Sequence, residues 1–474
     1  MHWIHMAASA LRGVEYFLIF YVGACNLFYM LLMALGYFCL QGRSWHLPRA
    51  EQQAILTSPL VPAISVIAPA YNEAMSIRES VRAQLALHYP KHEVIVVNDG
   101  SRDNTLELLV NEFRLYRSAR MPSGTLPSQP VRAVYESCDP IRLVVVDKEN
   151  GGKADSLNAG INFARSPLVA AVDSDSLMEK DALLHIVRPF LEDPEGTLAT
   201  GGIVRVVNDC RVEHGEVTNV VAPRSFIARI QALEYLRAFL GGRVAFSLLD
   251  SMLLISGAFG MFRRDALLAA GGFDTNTVGE DMEIVVRIQR IWRGRGLKAR
   301  VLFVPEPVCW TEVPETWKDL HRQCNRWQRG TVETLRKHRG MFFRPRLGMP
   351  AMFALPYFAV FELFGPAFEL AGYLCTIVGL ATGILDTKIA LLFLFASIAL
   401  GLLLSATALV MEEFTARRYS APGDLGRFML TAVLENFGYR QLMCVWRAQG
   451  LIDGLRGKKG WGKMHRRGFQ PTPR

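Results

Sequence analysis

The sequence predicts a mainly parallel α/β domain flanked by membrane-crossing helices. Short runs rich in Val, Ile and Ala alternate with amphipathic stretches between residues 63 and 313, and strands that alternate with helices at this spacing form βαβ units. Two uncharged runs, 17–40 and 389–411, are long enough to span a bilayer. Acidic residues follow several predicted strands, at the sheet edge where open α/β folds bind ligands. We therefore expect a ligand site on a soluble domain beside the membrane.

The hydrophobic segments divide the chain of 474 residues into three regions. We predict an N-terminal anchor over residues 1–50, a soluble domain over 51–345 and a C-terminal membrane region over 346–474. The first apolar run is too long for the core of a signal peptide, so we interpret it as an anchor. The C-terminal region is predicted to hold spans at about 362–385 and 389–411, an interfacial helix at about 428–446 and a basic tail. A fourth span in place of the interfacial helix is the main alternative.

The formal charge of +9 lies mainly beside the membrane segments. Positive residues next to a span favour the cytoplasmic side and anionic lipid. We therefore expect a multi-pass protein of the cell (inner or plasma) membrane whose soluble domain is cytoplasmic. No aromatic-and-basic motif indicates nucleic-acid binding. The eight cysteines show no C-x-x-C spacing, which favours free buried thiols over a zinc site or a disulfide framework.

The predicted elements follow one another in the order of βαβ units. Pro69 is expected to end the first strand, and the Ser-, Pro- and Gly-rich segment 118–130 is expected to be a flexible surface excursion. We predict strands at Ile64–Ala68, Glu93–Val97, Ile141–Val146, Leu168–Val172 and Gly201–Asn208. We predict helices at Ser76–Ala86, Thr105–Tyr116, Ala154–Ala164, Phe226–Leu240 and Met282–Trp292.

Two aspartates one residue apart, Asp173 and Asp175, end the apolar run that begins at Leu168. An isolated Asp-x-Asp is most often a solvated turn, so the neighbouring motifs decide its meaning. Carboxylate oxygens suit Mg²⁺ or Mn²⁺, which proteins often hold with one or two carboxylates plus substrate phosphates. Glu73 and Asp99 end the first two strands without a G-x-G-x-x-G turn. This argues against a dinucleotide fold and favours hydrogen bonding to a base or a ribose hydroxyl.

A glycine-rich turn and two further segments add polar groups to the predicted edge. The turn at 151–153 ends in Lys153 and opens a helix, so its backbone and ammonium suit a diphosphate. The small and aromatic residues of 256–264 are typical of close ligand approach or of a tight turn against the core, and both interpretations stay open. Asp281 stands at the start of a predicted helix, where capping alone explains it equally well.

Gln323, Arg326 and Trp327 share one face of a predicted helix, because they are spaced at i, i+3 and i+4. An amide, a guanidinium and an indole on one face suit a planar ligand that carries phosphate. The alternative is an amphipathic helix on the bilayer surface, and both can hold.

Together these motifs resemble those of the membrane-embedded, processive family 2 glycosyltransferases. That group includes the cellulose, chitin, hyaluronan and poly-N-acetylglucosamine synthases. The resemblance covers about Ile64 to Arg329, and its D-x-D, [T/G]-E-D and Q-x-x-R-W motifs occur in the family's order. The matching segments are Ala68–Glu73, Val97–Ser101, Gly152–Asn158, Val169–Asp175, Gly279–Asp281 and Gln323–Trp327.

The resemblance implies a GT-A (Rossmann-like) fold, a UDP-sugar donor and transfer with inversion. By carry-over, Asp281 would be the general base, paired with Glu280 in the acidic motif. Asp175 would hold Mg²⁺ or Mn²⁺, with Asp173 beside it. The other implied substrate contacts are Tyr71, Glu73 and Asp99 with uridine, Lys153 and Asp173 on the diphosphate side, and Gln323, Arg326 and Trp327 over the donor and near the acceptor.

Two features depart from the family pattern. Gly279 stands where the family usually has threonine, which leaves the acid pair but weakens any argument from the threonine. No R-x-x-x-R segment with a following β-barrel region marks a c-di-GMP site, so regulation of the cellulose-synthase kind is not expected.

Glu362 and Glu369 are seven residues apart within the C-terminal membrane region. An acid in the hydrocarbon layer is costly and is a functional candidate by default. The two residues face either a polymer path or the headgroup layer. Three spans are few for a complete polysaccharide channel, so interfacial helices, a second copy of the chain or an export subunit would complete it.

The leading functional prediction is transfer of a sugar from a UDP-sugar to a growing glycan, with export. The second is transfer of a single sugar to a lipid acceptor of the polyprenyl phosphate or ceramide type. The third is an inactive subunit that binds nucleotide or partners.

Overall fold

One mixed sheet organises the soluble domain of the structure, a computed structural model that describes residues 2–42, 47–138, 142–385, 387–415, 418–419, 421, 423–458, 460 and 468. Within these residues, ten strands form this sheet and two form a separate hairpin. In chain order the strands are β1 Ile64–Ala70, β2 His92–Asp99, β3 Tyr116–Arg117, β4 Val131–Glu136, β5 Leu143–Lys148, β6 Leu168–Val172, β7 Ser176–Met178, β8 Thr197–Val206, β9 Arg211–Glu213, β10 Glu216–Asn219, β11 Phe259–Arg263 and β12 Arg300–Thr311.

Helices pack against the sheet and include the long apolar segments of the chain. Some are extended by π-helical segments, at Arg237–Arg243, Pro350–Ala354 and Phe358–Leu363. In chain order the α-helices are α1 His2–Gly42, α2 Arg49–Thr57, α3 Ile77–Leu85, α4 Thr105–Glu112, α5 Lys153–Phe163, α6 Ala182–Glu192, α7 Phe226–Leu236, α8 Val244–Leu248, α9 Arg264–Ala269, α10 Glu280–Gly294, α11 Trp317–Lys337, α12 Leu355–Tyr357, α13 Gly365–Ala381, α14 Thr387–Thr415, α15 Asp424–Leu434 and α16 Tyr439–Leu455.

The strand order is β3-β4-β5-β2-β1-β6-β11-β8-β12-β7, which confirms the α/β class. Strands β5, β2, β1 and β6 are parallel, as predicted. The sheet as a whole is mixed, because β11 runs antiparallel to both of its neighbours. Phe259, the first residue of β11, pairs with Val172, the last residue of β6. The chain therefore enters β11 from the edge where the parallel strands end.

Three local expectations differ from the structure. The helix predicted at Thr105–Tyr116 ends at Glu112, and Tyr116 begins strand β3. Strand β1 continues through Pro69, which pairs in register with Val97. Pro69 is tolerated because β6 pairs with β1 only up to Ile67, so β1 has one strand neighbour at that level. The excursion at 118–130 is packed: Leu126 is buried, and its backbone N and O bond to the Asn162 side chain at 2.8 Å each.

Three helices among the described residues are long and apolar enough to cross a membrane, at Tyr16–Gln41, Pro350–Ala381 and Ala390–Phe414. Their number agrees with the predicted spans. The second helix begins earlier than the predicted residue 362, because π-helical turns carry it through Pro350 and Pro356.

The predicted interfacial helix at 428–446 is instead the two helices α15 and α16. They separate where Gly438 adopts a φ of +97° and Glu435 turns inward to pair with Arg237, at 3.1 Å between Oε2 and Nη2. Most of the basic tail, at residues 459, 461–467 and 469–474, lies outside the described residues. The division of the chain at residues 50 and 345 stays a prediction.

Glycines bring the membrane helices against the soluble domain. A Cβ at Gly36 of α1 would lie 3.0 Å from the Leu240 carbonyl oxygen. On the other side, a Cβ at Gly450 of α16 would lie 2.8 Å from Gln328 Cβ, and one at Gly454 would lie 2.9 Å from Val332 Cβ. Helix α16 therefore packs closely along α11.

Candidate active site

The ends of β2, β1 and β6 are neighbours on one edge of the sheet, since β1 pairs with both other strands. This brings the acidic positions that follow these strands to one side, as predicted. The loops after β1 and β2 are also joined directly. Asn72 N donates to Ser101 Oγ at 3.0 Å, and Arg102 N donates to Asn72 Oδ1 at 2.8 Å. Asn72 has a φ of +56°, a conformation that Asn tolerates better than most residues.

Tyr71 and Glu73 lie in the loop after β1, and their side chains differ in how firmly the protein holds them. Tyr71 is 43% exposed at the sheet edge, so its ring is open to a ligand. The Glu73 side chain is held locally, because its Oε2 accepts a hydrogen bond from Ser76 Oγ at 2.7 Å. The contact of both residues with uridine stays a prediction.

Asp99 holds the glycine-rich turn in place. Its carboxylate accepts hydrogen bonds from Gly151 N at 2.9 Å, Gly152 N at 2.8 Å and Asn150 Nδ2 at 3.0 Å, and it pairs with the Lys148 ammonium. A carboxylate offers about four acceptor positions, so all of them are used inside the protein. Asp99 is a positioning residue in this structure, and the predicted contact with uridine would require one of these bonds to break.

Lys153 is the first residue of α5 and connects three parts of the site. Its ammonium pairs with Asp173, donates to the Gly257 carbonyl at 3.1 Å and lies 3.9 Å from Glu280 Oε1. Burial opposes the charge, but Asp173 and Glu280 outweigh burial and raise the pKa of Lys153. The site therefore presents a firmly charged ammonium where a diphosphate is predicted to bind.

Glu280 and Asp281 begin α10 and line a small cavity together with Lys153 and Gly257. Glu280 is buried. Asp281 is partly exposed, and its Oδ1 accepts from Met282 N at 2.8 Å. Its Oδ2 points toward Gly257, where an added Cβ would lie 3.4 Å away. Asp281 is the more accessible carboxylate of the pair.

The structure bears on the two pairs of interpretations that the sequence left open here. Gly279, not Asp281, is the N-cap residue of α10, but Asp281 Oδ1 accepts from Met282 N in the first turn of the helix, so both interpretations of Asp281 stay open. Within 256–264, Ser256 and Gly257 line the small cavity, whereas Gly260 also packs closely against Ile255. The segment thus combines a site wall with a tight core contact.

Helix α11 fixes the loop that carries the acid pair. The backbones of Gly279 and Gly330 touch, since a Cβ on either glycine would lie 2.8 Å from the Cα of the other. Glu333 Oε2 accepts from Thr277 Oγ1 at 2.7 Å and from Val278 N at 2.9 Å. This explains the departure at Gly279: a threonine side chain does not fit against α11.

The three predicted site residues on α11, Gln323, Arg326 and Trp327, differ in their exposure to solvent. Gln323 is buried, and its Oε1 has no hydrogen-bond partner within the described part of the chain. Burial lowers the pKa of Arg326, and the nearby carboxylates of Glu280, Asp173 and Asp281 oppose that effect. Trp327 is 47% exposed. Arg326 therefore joins the same electrostatic cluster as the acid pair.

Asp173 and Asp175 occupy the short connection between β6 and β7. Asp175 is 3% exposed, and Asp173 pairs with Lys153. Across the described residues, no group of three or more His, Cys, Asp or Glu side chains is arranged to hold a metal ion. Two carboxylates nevertheless fit a hard divalent cation that takes its other ligands from a diphosphate and water.

The structure brings five of the eleven predicted site residues into one cluster. Asp173, Lys153, Glu280, Asp281 and Arg326 form one charged cluster. Asp175 and Trp327 do not line the small cavity. Sequence reasoning missed Gly330, although a glycine inside a predicted helix costs about 1 kcal/mol and signals a packing reason.

Glu280 gives the folded chain a specific pH dependence. Burial, assisted by Asp281 and opposed by Lys153 and Arg326, raises the pKa of Glu280 to about 7. An unfolded chain releases this proton at a pH of about 4.3. Between these values the native state binds more protons, so the contribution of Glu280 to stability falls as the pH rises.

We expect Glu280→Gln to remove this decline. The melting temperature of the variant minus that of wild type should increase by roughly 2–4 °C as the pH is raised from about 5 to about 8. The measurement is thermal unfolding of both purified proteins across that range. A difference between the two proteins that is constant with pH would contradict a pKa near 7.

Two family profiles match the residues that build this site. One, described as Glycosyl transferase family 2, matches residues 65–121. The other, described as Glycosyltransferase like family 2, matches residues 123–330. The two matches meet within the packed excursion at 118–130, and together they contain every predicted site residue.

Curated relatives include two poly-beta-1,6-N-acetyl-D-glucosamine synthases. That of Staphylococcus epidermidis is 28% identical over 323 residues, which cover 67% of this chain and 66% of the relative. That of Staphylococcus aureus (strain COL) is 29% identical over 273 residues, which cover 57% of this chain and 55% of the relative. The chain thus spans between about half and two thirds of the length of these relatives.

Solved structures also resemble the chain. A mannosyltransferase from Pyrobaculum calidifontis, in complex with GDP-mannose and Mn²⁺, superposes with a TM-score of 0.48 at 19% identity, covering 93% of this chain and all (100%) of that one. Residues 1–349 of TarS from S. aureus, in complex with UDP, superpose with a TM-score of 0.38 at 15% identity, covering 80% and 91%.

Proposed function

Because the chain carries a family 2 glycosyltransferase domain over residues 65–121 and 123–330, as its motifs predicted, we propose that it is an inverting N-acetylglucosaminyltransferase. In this proposal it moves the sugar from UDP-N-acetylglucosamine onto a growing polysaccharide at the membrane. The observation that carries the proposal is the cluster in which Lys153, Asp281 and Arg326 meet. The choice of sugar and of a polymeric product is supported by the synthases among the relatives.

Asp281 acts as the general base in this mechanism. Its Oδ2 takes the proton from an acceptor hydroxyl while that oxygen forms a bond to the anomeric carbon of the donor. The bond between the anomeric carbon and the diphosphate breaks on the opposite side, so the configuration inverts. A positioned base of this kind contributes about 10²–10⁴-fold to the rate.

The departing diphosphate carries negative charge, and the protein supplies positive charge where that charge develops. Lys153 and Arg326 are preorganised by the acids around them, which is the condition for electrostatic stabilisation without reorganisation. Asp175 and Asp173 would hold Mg²⁺ or Mn²⁺, which would supply further positive charge to the diphosphate when bound. Tyr71 would contact the uridine, and Gln323 and Trp327 would lie over the donor and near the acceptor.

We propose a multi-pass membrane protein in which the catalytic domain is cytoplasmic. The support is the length of the three helices and the basic residues beside them, which favour the cytoplasmic side. Glu362 and Glu369 both line a large cavity among these helices. This supports the first of their two predicted roles, a wall of the polymer path, which a second copy or an export subunit would complete.

The test uses the purified full-length chain with a panel of UDP-sugars and GDP-mannose, with Mg²⁺ or Mn²⁺, and with EDTA as a control. We expect UDP release from UDP-N-acetylglucosamine and a polymeric product on a gel. Asp175→Asn should reduce the release strongly. A product of one sugar on a lipid would favour the lipid-acceptor alternative, and no release with any donor would favour the non-enzymatic one.

A further inference from the structure

A second, larger cavity of about 820 Å³ lies between the soluble domain and the membrane helices. One strip of chain separates it from the small catalytic cavity. Met252, Leu253 and Leu254 line the large cavity, and the following residues, 255–257, line the small one. The two cavities are therefore neighbours across a few residues. A polymer that grows at Asp281 would enter the large cavity.

Arg243 lines the large cavity, as do residues 252–254 of this strip. It ends the π-helical segment 237–243, and its guanidinium stacks over the Phe239 ring at 4.1 Å from the ring centroid. Segments of π-helix are rare and are found frequently at functional sites. The charge of Asp281 is among those that act on the Arg243 guanidinium.

Arg243 differs from the other arginines of this cavity in its hydrogen bonding. Its Nη1 is buried and has no hydrogen-bond partner among the residues that the structure describes. By contrast, Arg237 pairs with Glu435, Arg440 donates to Asn436 at 3.1 Å, and Arg447 donates to Glu362 at 3.1 Å. A buried donor without a partner costs free energy, so it requires an explanation.

The surroundings indicate which ligand would satisfy that donor. Burial lowers the pKa of Arg243 to about 10, and the Asp281 carboxylate opposes that effect, so the group stays charged at neutral pH. A neutral ligand rich in oxygen acceptors, such as a sugar, satisfies a buried donor of this kind, and the acceptor glycan of the proposed reaction is such a ligand.

We propose that Arg243 binds the acceptor glycan, with its guanidinium donating hydrogen bonds to oxygens of the sugar that follows the one deprotonated by Asp281. The inference rests on the proposed glycosyl transfer. It assigns Arg243 a role in acceptor recognition rather than in donor binding. An acceptor glycan bound to Arg243 would be oriented with its reacting end toward the small cavity and the rest of the chain in the large cavity.

The test compares Arg243→Gln and Arg243→Lys with the wild-type full-length chain. Each protein receives UDP-N-acetylglucosamine alone, or with an N-acetylglucosamine oligosaccharide as acceptor. We expect Arg243→Gln to raise KM for the oligosaccharide about 10–100-fold, the range for a hydrogen bond from a charged donor, with KM for the donor and its slow hydrolysis unchanged. Arg243→Lys should recover part of the loss.

Arg440→Gln is the matched control, because it removes an arginine of the same cavity that already has a protein partner; it should leave KM for the oligosaccharide within about twofold. An unchanged acceptor KM in Arg243→Gln, at wild-type melting temperature, overturns the role of Arg243 alone. A raised KM for the donor, or equal losses in hydrolysis and transfer, also overturns it. If the wild-type protein does not turn over UDP-N-acetylglucosamine, the proposed function itself is overturned. If added phospholipid stimulates the activity of wild type and Arg243→Gln abolishes that stimulation, the ligand of Arg243 is a lipid phosphate and the proposal is overturned.

Discussion

Asp281→Asn is expected to lower the rate of glycosyl transfer about 10²–10⁴-fold. The amide has nearly the same shape as the carboxylate and can still accept the hydrogen bond from Met282 N, but it cannot take a proton from the acceptor. The charges that bind the diphosphate, on Lys153 and Arg326, are retained. We therefore expect the rate constant kcat to fall while the affinity for the donor changes little, which can be measured as UDP release and as equilibrium binding of the UDP-sugar.

Glu280→Gln is the matched control for the assignment of the base, since Glu280 is adjacent but buried. It should retain more activity than Asp281→Asn, because Asp281 is the more accessible carboxylate of the pair. If Asp281→Asn keeps a rate within about tenfold of wild type, Asp281 is not the base. The opposite ranking of the two variants would assign proton transfer to Glu280.

The positions of the acids could be predicted from the sequence because they depend on local rules. Apolar runs such as 168–172 predict buried strands, and parallel strands end on one edge of a sheet. Asp173, which follows β6, was therefore expected near the ends of β1 and β2. In the structure β1 pairs in parallel with both β2 and β6, which gives this arrangement. The same argument does not extend to side-chain direction. The Asp99 carboxylate turns inward to the glycine turn, and only the hydrogen bonds reveal this.

Contacts between distant segments could not be predicted in this way. The reversal of β11 depends on how the chain returns from the helices 226–248, and no local pattern of residues specifies that path. Arg243 lies three residues beyond the predicted end of a helix, with no motif around it. Its position in the wall of the large cavity becomes visible only when α1, α8 and residues 252–254 are placed together. The apolar helices were predictable by length, whereas the break at Gly438 lies beside a long-range pair, Glu435 with Arg237, that no local pattern specifies.

Gly279→Thr is expected to impair the protein even though it introduces the residue that the resembling family usually has. An added Cβ would lie 2.8 Å from Gly330 Cα and 3.1 Å from Gly330 C, and backbone atoms of a packed helix cannot move aside as a flexible side chain can. Overpacking of this kind costs about 1–3 kcal/mol. A shift of about 1 Å in the acid pair would also lower the rate about 10²-fold. The measurements are the melting temperature and the rate of UDP release.

Gly294→Ala is the matched control for this substitution, because Gly294 belongs to the same helix α10 and a Cβ there meets no atom within 4 Å. Its rate should equal that of wild type, and its melting temperature should be equal or slightly higher, because alanine has the higher helix propensity. The reciprocal variant Gly330→Ala should behave like Gly279→Thr, since its Cβ would lie 2.8 Å from Gly279 Cα. Wild-type stability and rate in both glycine variants would show that α10 and α11 can separate freely. In that case the close contact between the two glycines would not be what positions Asp281 beside Arg326.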